Sequence, residues 1–257
     1  MKDMTQSPDQ SLSQSKVQQS FRRGLNTYHE KATHQADIAA GLADRIQAHA
    51  PKQLKRVLEF GMGTGHLTRQ MQQSFAISQL YLNDLVSECE SFAPKAGTFI
   101  PGPIEKIDLP TDCDVICSAN TVQWIRDLPT TTLKLKSALH PGGLLALSGF
   151  GSAQFHELRT LGSSAAAPSY VDAEEWRRIL PEGMTIKHLS QGRRVEWFPS
   201  AMAILKHLRE TGVNGSATQT WTTGDLKAFE HDYRQRFGTQ RGLPLTYDPV
   251  WMIAQKS

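Results

Sequence analysis

The sequence contains few cysteines, and their spacing narrows the kinds of protein it can encode. Its three cysteines in 257 residues are Cys89, Cys113 and Cys117, and none has CxxC spacing. In one strand Cys113 and Cys117 would lie on the same face about 13 Å apart, too far to pair. An odd number without metal-ligand spacing argues against a disulfide framework and against structural zinc. We therefore expect buried thiols, no metal and a cytoplasmic protein.

The sequence also lacks a long apolar run and a strong excess of charge. No apolar run approaches the roughly 18 residues that a membrane-spanning helix needs. Residues 1–15 are rich in Ser, Gln and Asp, so they predict a disordered tail and not a secretory signal. The net charge of +3 is far below the basic load typical of nucleic-acid binders. We expect a soluble protein with neither a membrane nor a nucleic acid as partner.

Residues 51–150 alternate apolar runs with helical patterns. The runs predict five strands, which end at Phe60, Asp84, Ile100, Ser118 and Leu147. Helix-like segments lie between them, and Pro141-Gly142-Gly143 predicts a turn into the fifth strand. Continuous apolar strands that alternate with helices are typical of a parallel sheet covered on both faces.

The flanking segments extend this core into one domain over residues 16–257. Residues 16–50 predict two amphipathic helices. Residues 151–257 predict a helix whose start is flanked by Asp172 and Glu175, and then strands. Two further helices are predicted to stop at Gly212 and Gly238. A last strand is predicted over residues 251–254, either beginning after Pro249 or bulged there, because proline cannot donate to a sheet ladder.

The strongest chemical signal is a glycine cluster between the first strand and the first helix of the core. Gly61, Gly63 and Gly65 follow Glu59, and His66 stands where a nicotinamide-binding GxGxxG motif has its third glycine. Glycines there permit a ligand to approach the backbone closely. Glu59 suits a ligand with an ammonium group, such as the methionine half of S-adenosylmethionine, and would repel a pyrophosphate. A glycine-rich turn that binds nothing is the alternative.

Polar residues at two further strand ends point to the same ligand. Asp84 ends the second strand about 20 residues after the glycines, where a carboxylate can accept hydrogen bonds from both hydroxyls of a ribose. Asn83 is a possible substitute. Asn120 closes the fourth strand, so Asn120, Gln123 and Trp124 should face the reaction centre, although Trp124 could equally belong to the core.

These residues resemble class I S-adenosylmethionine-dependent methyltransferases, and more narrowly the malonyl-acyl-carrier-protein O-methyltransferases of biotin synthesis. The narrower resemblance extends from about Val17 to the C-terminus. It rests on Phe21-Arg22-Arg23-Gly24 with Tyr28, Ala32 and Gln35, on Asn120-Thr121-Val122-Gln123-Trp124, on 205–212 and on Leu243-Pro244-Leu245-Thr246-Tyr247. It implies an α/β Rossmann-like fold, with a seven-stranded mostly parallel sheet, helices on both faces and helical insertions after the fifth strand.

The motifs and the resemblance together give one set of cofactor-binding candidates for S-adenosyl-L-methionine. They are Glu59, Gly61, Gly63, Gly65, Asp84, Leu85, Ile104, Glu105 and Asn120. One departure is plain: where relatives often have an Asp that contacts the adenine amino group, this chain has Pro103, which removes a carboxylate and a backbone donor.

The resemblance further implies methyl transfer to the free carboxylate of a malonyl thioester on acyl carrier protein, giving a methyl ester that primes the synthesis of the biotin precursor. A carboxylate with a pKa of about 4 is already ionised at pH 7, so no residue is assigned as general base. Cations and hydrogen-bond donors must hold it. The substrate-binding candidates are Tyr28, Arg22, Arg23, Gln123, Trp124 and Arg193, with Arg194 as an alternative to Arg193.

The insertions after the fifth strand are expected to form a lid over the substrate and a docking face for the acidic carrier protein. Their cations are Arg177, Arg178, Lys206, Arg209, Lys227, Arg234, Arg236 and Arg241. Three alternatives stay open: a methyltransferase for another small acceptor such as a quinone precursor, a cofactor-binding module without catalysis, and a nucleic-acid methyltransferase, which the modest charge disfavours.

Overall fold

The computed structural model describes residues 22, 33–162, 167, 169–210 and 222–257. Within them the strands, numbered β1 to β9 in chain order, are Gln53–Phe60, Ala76–Asp84, Gly97–Pro101, Cys113–Ala119, Leu139–Phe150, Met184–Gln191, Arg194–Phe198, Leu243–Tyr247 and Pro249–Lys256. The α-helices, numbered α1 to α7, are Thr33–Gln47, His66–Ser74, Leu128–Ala138, His156–Thr160, Ala173–Ile179, Ala201–Glu210 and Thr223–Phe237. Two 3₁₀ helices are Ser87–Phe92 and Val122–Trp124.

The central sheet has seven strands in the order β3-β2-β1-β4-β5-β9-β6, and β7 pairs with β8 in a small second sheet. Strands β1 to β5 are parallel to one another, whereas β9 runs antiparallel to both β5 and β6. The predicted seven-stranded, mostly parallel sheet is therefore confirmed. The chain moves outward from β1 in one direction to β3 and returns to β4 on the other side, which creates a crevice at the carboxyl ends of β1 and β4.

Burial explains why these segments form the middle of the sheet. Leu58, Phe60, Ile116 and Leu145 are fully buried, as expected for strands covered on both faces. Helix α1 packs against the sheet, where the indole of Trp251 donates to the carbonyl of a residue in that helix, Ile38 (3.0 Å). Apolar burial on both faces thus holds the carboxyl ends of the strands in fixed positions.

Three details of the core differ from the sequence-based expectation. Pro141-Gly142-Gly143 does not form a turn before β5 but lies inside it, where the pairing register jumps from Leu139 to Leu144 and the extra residues bulge. Between β2 and β3 the chain forms only a 3₁₀ helix, and between β3 and β4 it forms turns, so helices were wrongly predicted there. Strand β9 begins at Pro249 itself, and the first residue of a strand is a position where proline is tolerated.

The flanking predictions have mixed outcomes. The capping box of Asp172 and Glu175 starts α5 as predicted, and Gly238 ends α7. Of the predicted first helix only Arg22 lies among the described residues. The expected tail over residues 1–15 and the stop at Gly212 lie outside them.

The chain divides into two compact units. The larger holds described residues 33–155, 167, 169–195 and 246–257, and therefore the central sheet. The smaller holds residues 22, 156–162, 196–210 and 222–245. Inside the smaller unit Tyr233 is fully buried between the rings of Phe229 and Phe237, and its hydroxyl donates to the carbonyl of Pro244 (2.6 Å). The insertions after the fifth strand supply most of this unit.

Candidate cofactor site

The glycine cluster forms the loop between β1 and α2, and its backbone requires glycine. Gly61, Gly63 and Gly65 have φ values of 65°, 53° and 80°, in the left-handed region that side chains disfavour. Gly65 is the N-cap of α2. The predicted strand–turn–helix arrangement is therefore confirmed, and the loop lies at the switch point of the sheet.

The first two glycines serve different purposes. An ideal Cβ on Gly61 would lie 2.1 Å from the hydroxyl oxygen of Thr121, whereas one on Gly63 would meet nothing within 4 Å. Position 61 therefore requires glycine, because Thr121, just beyond β4, packs against it. Gly63 borders open space that a side chain would fill, so the loop leaves room for a ligand at this position.

Asp84 lies next to this open space. The N–H of Gly63 donates to Oδ2 of Asp84 (2.8 Å), and the N–H of Val86 donates to Oδ1 (2.8 Å). Burial raises the pKa of Asp84 above its ordinary value, and hydrogen bonds from the two N–H groups oppose that rise. The two motifs predicted to share one ligand are thus in direct contact, with Leu85 half-buried beside them.

Asn83, the predicted substitute for Asp84, has another role. Its side-chain amide donates to the carbonyls of Ile100 and Gly102, both at 2.8 Å, and the residue is 2% exposed. Asn83 is unsuited to hold a ribose, because its side chain is buried and its amide already bonds to the loop after β3. Asp84 remains the carboxylate that borders the open space.

Glu59 lies beneath the loop and contacts α2. The Thr68 hydroxyl donates to its carboxylate (2.7 Å), and the side chain is fully enclosed. Burial, with a smaller contribution from the nearby charge of Asp84, raises the pKa of Glu59 to about 8. The carboxyl group is therefore mostly protonated at pH 7 in this structure, and its predicted contact with an ammonium group stays a prediction.

Amide side chains surround the end of β4. The amide nitrogen of Asn120 donates to the carbonyl of Gln35 (3.1 Å), and that of Gln123 donates to the carbonyl of Asn120 (2.7 Å). These bonds fix the orientation of both amides, because a flip would place two oxygens face to face. Oδ1 of Asn120 and the Oε1 atoms of Gln35 and Gln123 are buried and have no hydrogen-bond partner in the part of the chain that the structure describes. Buried oxygens without partners cost free energy, so these three fit a ligand that donates hydrogen bonds.

The remaining cofactor candidates lie in the loop after β3. Ile104 is 5% exposed and packs in the hydrophobic core, while Glu105 is exposed. Ile104 therefore offers its main chain, and not its side chain, to any ligand at this edge. Pro103 begins a turn closed by the N–H of Lys106, which donates to its carbonyl (2.8 Å).

The structure describes only some of the substrate-binding candidates, and each has its own surroundings. Arg193 is 67% exposed with its Nε 3.7 Å from Oδ1 of buried Asp248, and Arg194 lies 4.0 Å from Asp37. Trp124 is half-buried and Arg22 is exposed, while Arg23 and Tyr28 lie outside the described residues.

Thr121 and Gln35 both contribute to this site, although the sequence predicted no separate role for either residue. Thr121 was only one letter of a motif, and Gln35 only one position of a helix. A residue that acts by packing on a distant glycine, or by presenting a backbone carbonyl, leaves no signal in the spacing of residues.

No helix among the described residues is long and apolar enough to cross a membrane. No group of three or more His, Cys, Asp or Glu side chains within the described ranges is arranged to hold a metal ion.

Comparison with known proteins identifies the family. The methyltransferase domain family matches residues 32–210. Malonyl-acyl-carrier-protein O-methyltransferase of Acinetobacter baylyi is 34% identical, over 96% of this chain and 98% of that protein. The enzyme of the same name from Prosthecochloris aestuarii is 33% identical, over 96% and 95%. The chain therefore belongs to the methyltransferase domain family and, within it, to the malonyl-acyl-carrier-protein O-methyltransferases.

Solved structures agree with this assignment at the level of the fold. The methyltransferase resembles the YcgJ protein of Bacillus subtilis with a TM-score of 0.59 and 15% identity, over 84% of this chain and 98% of that one. It also resembles the N-methyltransferase NodS of Bradyrhizobium japonicum in complex with S-adenosyl-L-homocysteine, with a TM-score of 0.51 and 15% identity, over 93% and 98%. The predicted class I methyltransferase fold is confirmed.

S-adenosylmethionine is the cofactor of this methyltransferase, as predicted. The residues fit it: Gly63 leaves the open space, Asp84 borders that space, and unpartnered amide oxygens lie at the neighbouring strand end. The assignment of each candidate residue to a part of the cofactor remains a proposal.

Proposed function

We propose that this methyltransferase transfers a methyl group from S-adenosylmethionine to the free carboxylate of a malonyl thioester on acyl carrier protein. The product is a methyl ester that primes synthesis of the biotin precursor. The observation that carries this proposal is the open space at Gly63 beside Asp84, in a chain that matches malonyl-acyl-carrier-protein O-methyltransferases along nearly its whole length.

The cofactor supplies the reactive methyl group when it is bound, and the protein supplies position and exclusion of water. Asp84 accepts hydrogen bonds from the ribose, and the loop at Gly63 holds the methionine end. Asn120 and Gln123, fixed by their bonds at the end of β4, shape the space beside the methyl group. No proton has to be removed from the acceptor, because the malonyl carboxylate is ionised at pH 7.

A cytoplasmic location is part of the same proposal. Cys89, Cys113 and Cys117 are all free and buried, and burial raises the pKa of each thiol, which favours the unreactive protonated form. Free thiols are typical of proteins in a reducing compartment.

A panel of acceptors tests the substrate. Malonyl-acyl carrier protein, malonyl-pantetheine, free malonate and a phenolic quinone precursor are each incubated with the enzyme and methyl-labelled S-adenosylmethionine. We expect the fastest labelling with malonyl-acyl carrier protein. Faster labelling of the phenol would favour a methyltransferase for another small acceptor, and binding of the cofactor without labelling of any acceptor would favour a non-catalytic module.

A further inference from the structure

The loop that follows β3 is tied to helix α3 by a single side chain. Nζ of Lys134 donates to the carbonyl oxygens of Ile104 (3.1 Å), Glu105 (3.1 Å) and Ile107 (2.5 Å). An ammonium group has three N–H donors, so these carbonyls account for all of them. Hydrogen bonds from a charged donor are stronger than neutral ones, and three on one short loop restrict its backbone strongly.

The same loop is held on its other side by the end of β2. The side chain of Asn83 donates to the carbonyls of Ile100 and Gly102, and the N–H of Gly102 donates to the carbonyl of Asp84 (2.9 Å). The loop is therefore fixed between α3 and the strand whose last residue borders the cofactor space.

The turn in this loop has two N–H groups at its centre, and Lys134 sets the direction of one of them. The bond from Lys106 to Pro103 makes Ile104 and Glu105 the central residues of the turn, and neither N–H has an acceptor among the described residues. The C=O and N–H of a trans peptide point in opposite directions. Because Lys134 draws the carbonyl of Ile104 towards α3, the N–H of Glu105 must point away from α3.

The proposed cofactor site would place the base of the cofactor at this loop. If the glycine loop after β1 holds the methionine end and Asp84 at the end of β2 holds the ribose, the residues after β3 would face the base. Pro103 offers it neither a carboxylate nor an N–H. The hydrogen-bond donors that the turn leaves open are the N–H groups of Ile104 and Glu105.

We propose that Lys134 is a positioning residue for the adenine of S-adenosylmethionine. By holding the carbonyl of Ile104 towards α3, it directs the N–H of Glu105 at a purine ring nitrogen that accepts hydrogen bonds, with the N–H of Ile104 as the neighbouring open donor. This inference rests on the cofactor site assigned above. Main-chain donors then recognise the adenine, because Pro103 offers neither a carboxylate nor an N–H.

Two ligands and a matched pair of variants test this proposal. S-adenosylhomocysteine has an acceptor at purine N1, whereas S-inosylhomocysteine carries a proton there. Lys134→Met removes the ammonium at nearly constant length. Lys136→Met is the control. Lys136 lies on the same helix, but it donates to the carbonyl of Glu182 (2.5 Å), which is not part of the 104–107 turn.

Calorimetry should show that Lys134→Met weakens binding of S-adenosylhomocysteine about tenfold and binding of S-inosylhomocysteine less than twofold, so selectivity falls by about fivefold or more, which is about 1 kcal/mol or more. The KM for S-adenosylmethionine should rise about tenfold with kcat within twofold of the wild type. Lys136→Met should match the wild type, and Lys134→Arg should recover much of the lost selectivity because it retains a charged donor.

Unchanged selectivity in Lys134→Met, or equal weakening of both ligands, would overturn the proposal. If Lys134→Met does not fold, hydrogen exchange on the wild-type enzyme decides: S-adenosylhomocysteine must protect the amides of Ile104 and Glu105, and lack of protection overturns it. A wild-type enzyme that binds neither ligand would overturn the cofactor site together with this inference. Binding and turnover by the wild type, with unaltered selectivity in the variant, would overturn this inference alone.

Discussion

The contrast between Gly61 and Gly63 gives a prediction at the scale of single residues. Gly63→Val should abolish measurable cofactor binding, because its side chain would occupy the open space, while the protein still folds with only the strain of a positive φ. Gly61→Ala should lower the melting temperature, because its Cβ would collide with Thr121. Calorimetry and thermal unfolding measure the two effects. A Gly63→Val protein that binds S-adenosylhomocysteine normally would remove this loop from the site.

The raised pKa of Glu59 gives a prediction about pH. An unfolded chain releases this proton near pH 4.3, whereas the folded protein holds it up to about pH 8, so the wild type loses stability as pH rises between these values. Glu59→Gln keeps an acceptor for Thr68 but cannot ionise. The unfolding free energy of Glu59→Gln minus that of the wild type should therefore increase with pH, by up to about 1.4 kcal/mol per pH unit within this window.

Chemical denaturation at several values between pH 5 and pH 8 measures this difference. The exposed Glu174→Gln, on α5, is the control and should show no such trend. A constant difference between Glu59→Gln and the wild type across the range would mean that Glu59 is ionised in the folded protein.

At this scale the sequence predicted which residues carry chemistry but not how each is used. The spacing of the glycines and the acid at Asp84 indicated one ligand, and the structure places Gly63 and Asp84 in contact. The division of labour between Gly61 and Gly63 depends on Thr121, 60 residues away along the chain from Gly61. Sequence spacing contains no information about such a long-range contact.

At the scale of elements, the sequence predicted best the buried carboxyl-terminal parts of the strands. The ends of β1 and β2 were predicted at the observed residues, Phe60 and Asp84, and the end of β4 at Ser118, one residue before the observed Ala119. The prediction failed at β5, because Pro141-Gly142-Gly143 has the composition of a turn but lies inside the strand, where Leu139 and Leu144 on either side pair with β4. It also failed between β3 and β4, where Lys134 and Asn83 stabilise turns in place of a helix.

The cations of α7 and the loop after it give a prediction about carrier-protein docking. Arg234 bonds to Glu230 (2.6 Å) and Pro199 (2.6 Å), so reversing its charge would damage the smaller unit itself. Lys227 and Arg241 are exposed and make a cleaner test. Lys227→Glu with Arg241→Glu should slow methylation of the carrier-bound substrate about tenfold at low salt, a loss of about 1.4 kcal/mol, with malonyl-pantetheine unaffected.

A second double variant separates this effect from net charge. Lys52→Glu with Lys95→Glu makes the same change in charge at exposed positions before β1 and β3, at the edge opposite the cofactor site. It should leave both substrates unaffected. Equal slowing by the two double variants would show a response to net charge, and no slowing by either would place the docking surface elsewhere.

At the scale of the whole molecule, the sheet order explains how distant parts of the chain form one site. The carboxyl ends of β1, β2 and β4 meet at the switch point, which brings Gly63, Asp84 and Asn120 to one edge. The sequence predicted this because alternating strands and helices allow few arrangements of a parallel sheet. It did not predict the division into two compact units, since no linker rich in Pro, Gly or Ser separates them.

The central claim is that this enzyme methylates a carboxylate, and the chemical identity of its product tests that claim most directly. Malonyl-acyl carrier protein is incubated with enzyme and S-adenosylmethionine labelled with ¹³C on the methyl group, and the isolated product is treated with alkali. A methyl ester releases labelled methanol, so we predict one equivalent of labelled methanol per labelled product. Label that stays on the product as an N-methyl, C-methyl or phenolic methyl group, with no methanol released, would contradict the account.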